Sequence, residues 1–142
     1  MLAFEALPKL HRAVRSQPLA EAVAQHLEQT KQHAARVEQT FRSVGAESSS
    51  NLCPPVEKLA AHHDELAEKL VEERLRDTFH AAAAAQTEHH EIALYDALIT
   101  VAKAMEEMDA VKLLEQNRDE EREALRILER EVERLAREAA SR

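Results

Sequence analysis

The sequence predicts an all-α protein, a four-helix bundle with one long crossover between its second and third long helices. Three observations carry this. First, Ala, Leu, Glu, Gln and Arg dominate, and 142 residues contain a single Gly, four Pro and no Trp, which is the composition of long helices and not of a sheet. Second, apolar residues recur at spacings of three and four over long runs. Third, residues 46–76 are too long for a hairpin turn and suit a crossover. The length suits one domain with one core, residues 1–142, with 46–76 as the crossover segment.

The balance of 27 acidic against 19 basic residues, net charge −8, argues against nucleic acid as a partner, because phosphate would be repelled. Cys53 is the one cysteine, so no internal disulfide forms and a reducing compartment fits. No apolar run approaches the roughly 20 residues of a membrane span. The N-terminal apolar stretch is broken by Glu5 and Pro8 and does not read as a secretory signal. The expectation is a soluble cytoplasmic protein.

The first helix covers about residues 2–15, with Leu2, Leu7, Leu10 and Val14 as its stripe. It starts with that stripe already under way and no cap before it, which reads as a first helix missing a turn or two. Ser16 caps the next helix, with Pro18 in its first turn. That helix runs from about Pro18 to Val44 and ends at Gly45. Its expected seam is Val23, Leu27, Thr30, Ala34, Val37, Phe41 and Val44, with His26 and His33 on either side of Thr30. After a loop, Pro54–Pro55 open a shorter crossover helix reaching about Leu75.

The third long helix is expected over residues 77–104. Its stripe of Ala81, Ala85, Glu88, Ile92, Tyr95, Ile99 and Ala102 carries a carboxylate, and Glu91 lies beside it three residues on. A carboxylate on a core seam is costly unless it is paired, protonated or bound to metal. The last helix, about residues 109–139, has Val111, Leu114, Arg118, Glu121, Leu125, Leu128, Val132 and Leu135 as its expected seam. Its polar breaks, Arg118 and Glu121, sit mid-helix. Three long helices thus have polar interruptions near their middles, which can meet at one level of a core. A long crossover lets the second and third long helices run parallel, the wiring of ferritin-like bundles.

Several motifs, taken in order, resemble the YciF/YciE-type ferritin-like bacterial stress proteins. They are ALPKL at Ala6–Leu10, HLEQT at His26–Thr30 leading into RVEQTF at Arg36–Phe41, TEHHEIALY at Thr87–Tyr95 and LLEQNRDEER at Leu113–Arg122. Cys53 also falls where that family often has a cysteine. The resemblance implies a ferritin-like four-helix bundle with an extra short helix in the crossover. It also implies a two-metal carboxylate site, iron or manganese, with Glu88, Glu91, Glu121 and His33 as the matching ligand positions and Glu120 beside Glu121.

The chain departs from that pattern. The family's first-helix glutamate would lie about eight residues before Pro8, upstream of Met1. Gln29 and Leu125 stand where the family is acidic, and Arg118 stands where it is usually apolar. Each loss removes an anionic ligand, and Arg118 adds a cation. Carboxylates left without metal must be neutralised. The expectation is therefore a metal site replaced by a buried network of Arg118, His26 and Thr30 with the glutamates. For Glu88 and Glu91 the plainer alternative is a pair at the seam edge, solvated. His26 and His33 read more readily as boundary histidines than as ligands, His89 and His90 as exposed or boundary residues, and His62 and His63 as surface.

The function expected is that of a non-enzymatic, stress-associated bundle with no resident cofactor, paired as a homodimer because a short first helix leaves an apolar flank uncovered. The alternative is a di-iron or di-manganese protein for metal storage or for handling oxygen or peroxide. A third class is an interaction adaptor using its acidic surface. No nucleophile triad or phosphate-binding loop supports another enzyme class.

Overall fold

A computed structural model describes residues 3–46, 54–70 and 72–141. The described residues form five helices: α1 (Ala3–Ala13), α2 (Gln17–Ser43), α3 (Pro54–Lys69), α4 (Glu73–Ala104) and α5 (Met108–Ala140). Cys53 and the first two residues lie outside the described residues.

The α1–α2 corner is held by side chains. The Ser16 hydroxyl accepts from Leu19 N at 3.5 Å, in the first turn that also carries Pro18. Asp77 near the start of α4 is buried and accepts the backbone N–H groups of Arg15 (3.0 Å) and Ser16 (2.6 Å). Arg134 near the end of α5 donates to the Ser16 hydroxyl at 2.6 Å. One corner therefore joins the start of α2, the start of α4 and the end of α5. It follows that α2 and α4 run parallel, as the crossover length predicts, and α5 runs against both. At the far end α2 stops at Gly45, whose φ of +70° suits a residue without Cβ, and Ala46 N bonds back to Phe41 O at 2.9 Å.

The crossover helix is shorter than expected. It ends at Lys69, and α4 begins at Glu73, four residues before the position the sequence suggests. Leu70 and Glu72 lie outside helix, and the sequence between the two helices has neither Gly nor Pro to mark the boundary. α3 lies on the outside of α4. There His63, expected at the surface, docks on Phe79 edge-to-face and bonds Gln86 at 3.0 Å.

Two apolar clusters fill the bundle. The upper one gathers Leu7, Leu19, Val23, Ala81, Ala85, Leu125, Leu128 and Leu135. The lower one gathers Ile99, Ala102, Ala110, Val111 and Leu114 from α4 and α5. Among the described side chains, Leu7 and Leu10 of α1 and Val14 just past its end join the upper cluster. Between the clusters sits a buried polar layer: His26, Thr30 and His33 from α2, Glu88 from α4, Asn117 and Glu121 from α5.

That layer corrects the expected seams. On α2 the buried series is Leu19, Val23, His26, Thr30 and His33, whereas Leu27, Ala34 and Val37 are only partly buried. The histidines are inside, not at the boundary. On α5 the layer takes Asn117 where Arg118 was expected.

A buried histidine–glutamate cluster at the centre of the bundle

Each side chain of the layer is delivered by a long helix whose ends are anchored elsewhere. His33 sits between two adjacent glutamates of α5, with Nδ1 2.8 Å from Glu121 Oε1 and Nε2 2.8 Å from Glu120 Oε2. His33 is 3% and Glu121 0% exposed, so this contact is out of reach of solvent. One turn back along α2, His26 Nε2 lies 3.1 Å from Glu88 Oε1 and 3.5 Å from Glu121 Oε2. Arg36 donates to Glu120 Oε2 at 2.8 Å and to Asn117 Oδ1 at 2.9 Å. Asn117 is fully buried and turns its amide N–H groups to His33 O at 3.1 Å and Tyr95 Oη at 3.2 Å.

The sequence-predicted site residues divide. Glu88, Glu121, His26 and His33 come together. Glu91 is partly buried and feels the charge of Glu121. Thr30 is at the same level, but its hydroxyl donates to its own helix at His26 O, 2.9 Å, and neutralises nothing. Arg118 is not in the cluster. Its guanidinium reaches Asp96 (3.3 Å) and Asp119 (3.0 Å) on the flank of α4 and α5, because one residue of helical phase turns it 100° from the core. The cation that enters from the rim is Arg36, which sequence reasoning missed together with Asn117 and Tyr95. The available signal was Arg36 following His33 by three residues, on the same face. His89 is exposed, with Glu129 at 3.9 Å, and His90 is partly buried.

Electrostatics follow from this packing. Burial opposes charging His26, but the Glu88 hydrogen bond and the charges of Glu88, Glu121 and Glu91 outweigh it, and its pKa rises to about 9. Burial likewise opposes a charged His33, and Glu121 and Glu120 overcome it, again raising the pKa. Glu91 is pushed up to about 8, first by burial and then by the charge of Glu121. Glu121 is also raised, by burial, with His33 pulling the other way. Glu120 is lowered: burial would raise it, but Arg36, His33 and Gln116 prevail. The layer therefore sets His26, His33 and Arg36 against the carboxyls of Glu88, Glu120 and Glu121, while Glu91, pushed up to about 8, keeps its proton at neutral pH.

The donors also bear on a metal. One ligand atom each from His26, Glu88 and Glu121 lies within 4.8 Å of the others, and all three residues are buried. Glu88 Oε2, Glu121 Oε2 and His26 Nδ1 have no hydrogen-bond partner. These three residues fit a single cation. A second ion would need the oxygens of Glu120 and Glu121 that His33 and Arg36 already occupy.

A four-helix bundle with a long crossover and a histidine–carboxylate layer at mid-height defines a ferritin-like protein. Residues 1–141 match the family described as Domain of unknown function (DUF892). The chain is 36% identical over 123 residues to Protein YciF of Escherichia coli (strain K12), covering 82% of this chain and 71% of that protein. Its fold superposes on the crystal structure of the E. coli stress protein YciF with a TM-score of 0.89 at 30% identity, over 96% of this chain and 86% of that one. It superposes on YcfI from Rhodopseudomonas palustris with a TM-score of 0.86 at 31% identity, over 90% and 82%. The chain belongs to this family, the YciF-type ferritin-like proteins.

Proposed function

We propose that this chain is a non-enzymatic, stress-associated ferritin-like bundle that acts in the cytoplasm as a homodimer, with a His–Glu–Arg network where a two-metal centre would sit. The observation that carries this reading is His33, whose two ring nitrogens each meet a carboxylate, Glu121 and Glu120. A histidine bound on both sides by ionised carboxylates donates from both nitrogens as an imidazolium, and an imidazolium has no lone pair for a metal. Arg36 completes the charge balance. The stress association comes from the relative's own description. No helix among the described residues is long and apolar enough to cross a membrane, which accords with a cytoplasmic place.

A second reading has its own support. The unpartnered oxygens of Glu88 and Glu121 beside His26 make a three-donor cradle for one iron or manganese ion. Such an ion, when bound, supplies Lewis-acid or redox chemistry toward oxygen or peroxide. For it to bind, His26 would release the proton that its Nε2 holds between Glu88 and Glu121.

Elemental analysis decides between them, after purification and after anaerobic reconstitution with Fe(II) or Mn(II). Folded protein that retains no ion is the expected result. About one ion per chain, lost in Glu88→Ala, would establish the second reading; about two ions per chain would overturn the network reading altogether.

A further inference from the structure

The guanidinium of Arg36 keeps its charge at any pH the fold meets. Arg36 stands one turn beyond His33 on α2, with its side chain 16% exposed. Nη1 donates to Glu120 Oε2 at 2.8 Å and to Asn117 Oδ1 at 2.9 Å, and Nη2 donates to Gln32 Oε1 at 3.3 Å. Three oxygens from two helices thus converge on one positive group. A carboxylate and two amide carbonyls are also the donors that a hard divalent cation takes.

Two of these oxygens are held without help from Arg36. Asn117 is fully buried, and its amide N–H groups are spent on His33 O and Tyr95 Oη, which leaves Oδ1 for Arg36. Gln116 donates to the other oxygen of Glu120 at 3.0 Å and steadies that carboxylate from its own helix. Glu121 then links this group to the inner cradle. Its Oε1 meets His33, while its Oε2 turns toward His26 and has no hydrogen-bond partner. The layer therefore has two positions for positive charge. The inner one lies among His26, Glu88 and Glu121, and the outer one is where the guanidinium sits. The outer one is filled by the chain itself, and a tethered charge acts at an effective concentration far above that of a free metal ion.

We propose that Arg36 is a built-in cation at the outer position, and that it, not a shortage of ligands, sets how many ions the bundle can hold. Arg36 is then a selectivity device. It closes the outer position to divalent metal, while Glu120, Asn117 and Gln32 keep the oxygens such a metal would use. This inference rests on the network reading proposed above and assigns the residue that enforces it.

The test is the Mn(II) content of the full chain, by elemental analysis after desalting, for the parent, Arg36→Gln and Arg36→Lys, with circular dichroism to follow the helices. Arg36→Gln is expected to gain about one Mn(II) per chain over the parent. Arg36→Lys should gain none, because its ammonium restores the charge. Arg36→Gln/Glu120→Gln should lose the gained ion, which places that ion at the outer position. Free guanidinium, too dilute to denature, should displace it as well. A folded Arg36→Gln with the parent's Mn(II) content overturns this inference and leaves the network reading untouched. A gained ion that survives Glu120→Gln, or that Arg36→Lys gains equally, also overturns it. About two ions in the parent would overturn this inference and the network reading together. Should Arg36→Gln lose helicity, Arg36→Ala kept folded by dilute guanidinium replaces it. Its Mn(II) content must then rise as the guanidinium is dialysed away, and an unchanged content overturns the inference.

Discussion

His33 and Glu121 stand 88 residues apart in the chain and meet at 2.8 Å in the middle of the bundle, each essentially sealed from solvent. Their contact ties α2 to α5 at the level where apolar packing is interrupted. Removing one partner strands the other. His33→Leu is expected to destabilise the bundle by about 3–5 kcal/mol, because Glu121 loses its nearest cation while staying buried. The double variant His33→Leu/Glu121→Leu should recover much of that loss. Urea denaturation of the four proteins of the cycle measures it, and equal losses in the single and double variants would contradict the pairing.

Stability should decline on the alkaline side. His26 binds its proton up to about pH 9 in the folded chain against an ordinary 6.5, so its contribution is complete below 6.5 and is lost as pH rises through 9. Glu91, raised from 4.5 to about 8, acts in the same direction: folding keeps a proton that the unfolded chain gives up. Glu120 is lowered and costs stability only as pH falls below its ordinary range. The optimum is expected near pH 4.5, with the steepest fall between 6.5 and 8, where both groups hold an extra proton, and a total loss of roughly several kcal/mol by pH 9. Glu91→Gln, which copies the protonated carboxyl, should flatten the slope. Melting temperatures across that range provide the check.

Arg118 and Arg36 exchange the importance their sequence positions suggest. Arg118 forms a flank pair with Asp96 and Asp119, both substantially exposed. Arg118→Leu should therefore change stability by no more than about 1 kcal/mol. Arg36 is largely covered and holds Glu120 and Asn117. Arg36→Leu is expected to cost about 1.5–3 kcal/mol. Chemical denaturation of the two variants side by side tests the ranking.

The corner held by Asp77 makes a separate prediction. Its carboxylate satisfies two backbone N–H groups of the α1–α2 turn from a buried position. Asp77→Ala leaves those donors without it and should cost about 1–3 kcal/mol. Amide exchange at Arg15 and Ser16 should accelerate well before the core of α5 opens.

Glu106 is the single non-glycine residue with positive φ among those described, at +62° in the α4–α5 turn. A side chain there carries roughly 1–2 kcal/mol of steric strain. Glu106→Gly is expected to raise stability by about 0.5–1 kcal/mol, visible as a higher denaturant midpoint with an unchanged slope.

Much of this was legible in the residues. Ser16 and Pro18 mark the start of α2 and Gly45 its end, because caps and glycines act through local backbone geometry. The long 46–76 segment indicated parallel α2 and α4. Glu88 and Glu121 stood out because charge on a greasy stripe must be answered, whereas His33 entered through the family resemblance and both histidines read more readily as boundary residues. The boundary between α3, ending at Lys69, and α4, beginning at Glu73, was not legible, since the sequence there has no Gly or Pro. Asp77 was also hidden: its partners are backbone groups some 60 residues away, with no sequence signature.

The sequence by itself determined the helices, their order and the period of the apolar pattern, since these rest on interactions between near neighbours. It did not determine the phase. From Leu114 to Glu121 seven residues divide as four and three or as three and four, which is the difference between Arg118 and Asn117 in the core. The same step on α2 puts His26 and His33 inside in place of Leu27 and Ala34. Only the tertiary structure decided that choice, because it depends on what faces each helix. Two histidines can enter an apolar bundle only where carboxylates from α4 and α5 arrive at the same height to meet them.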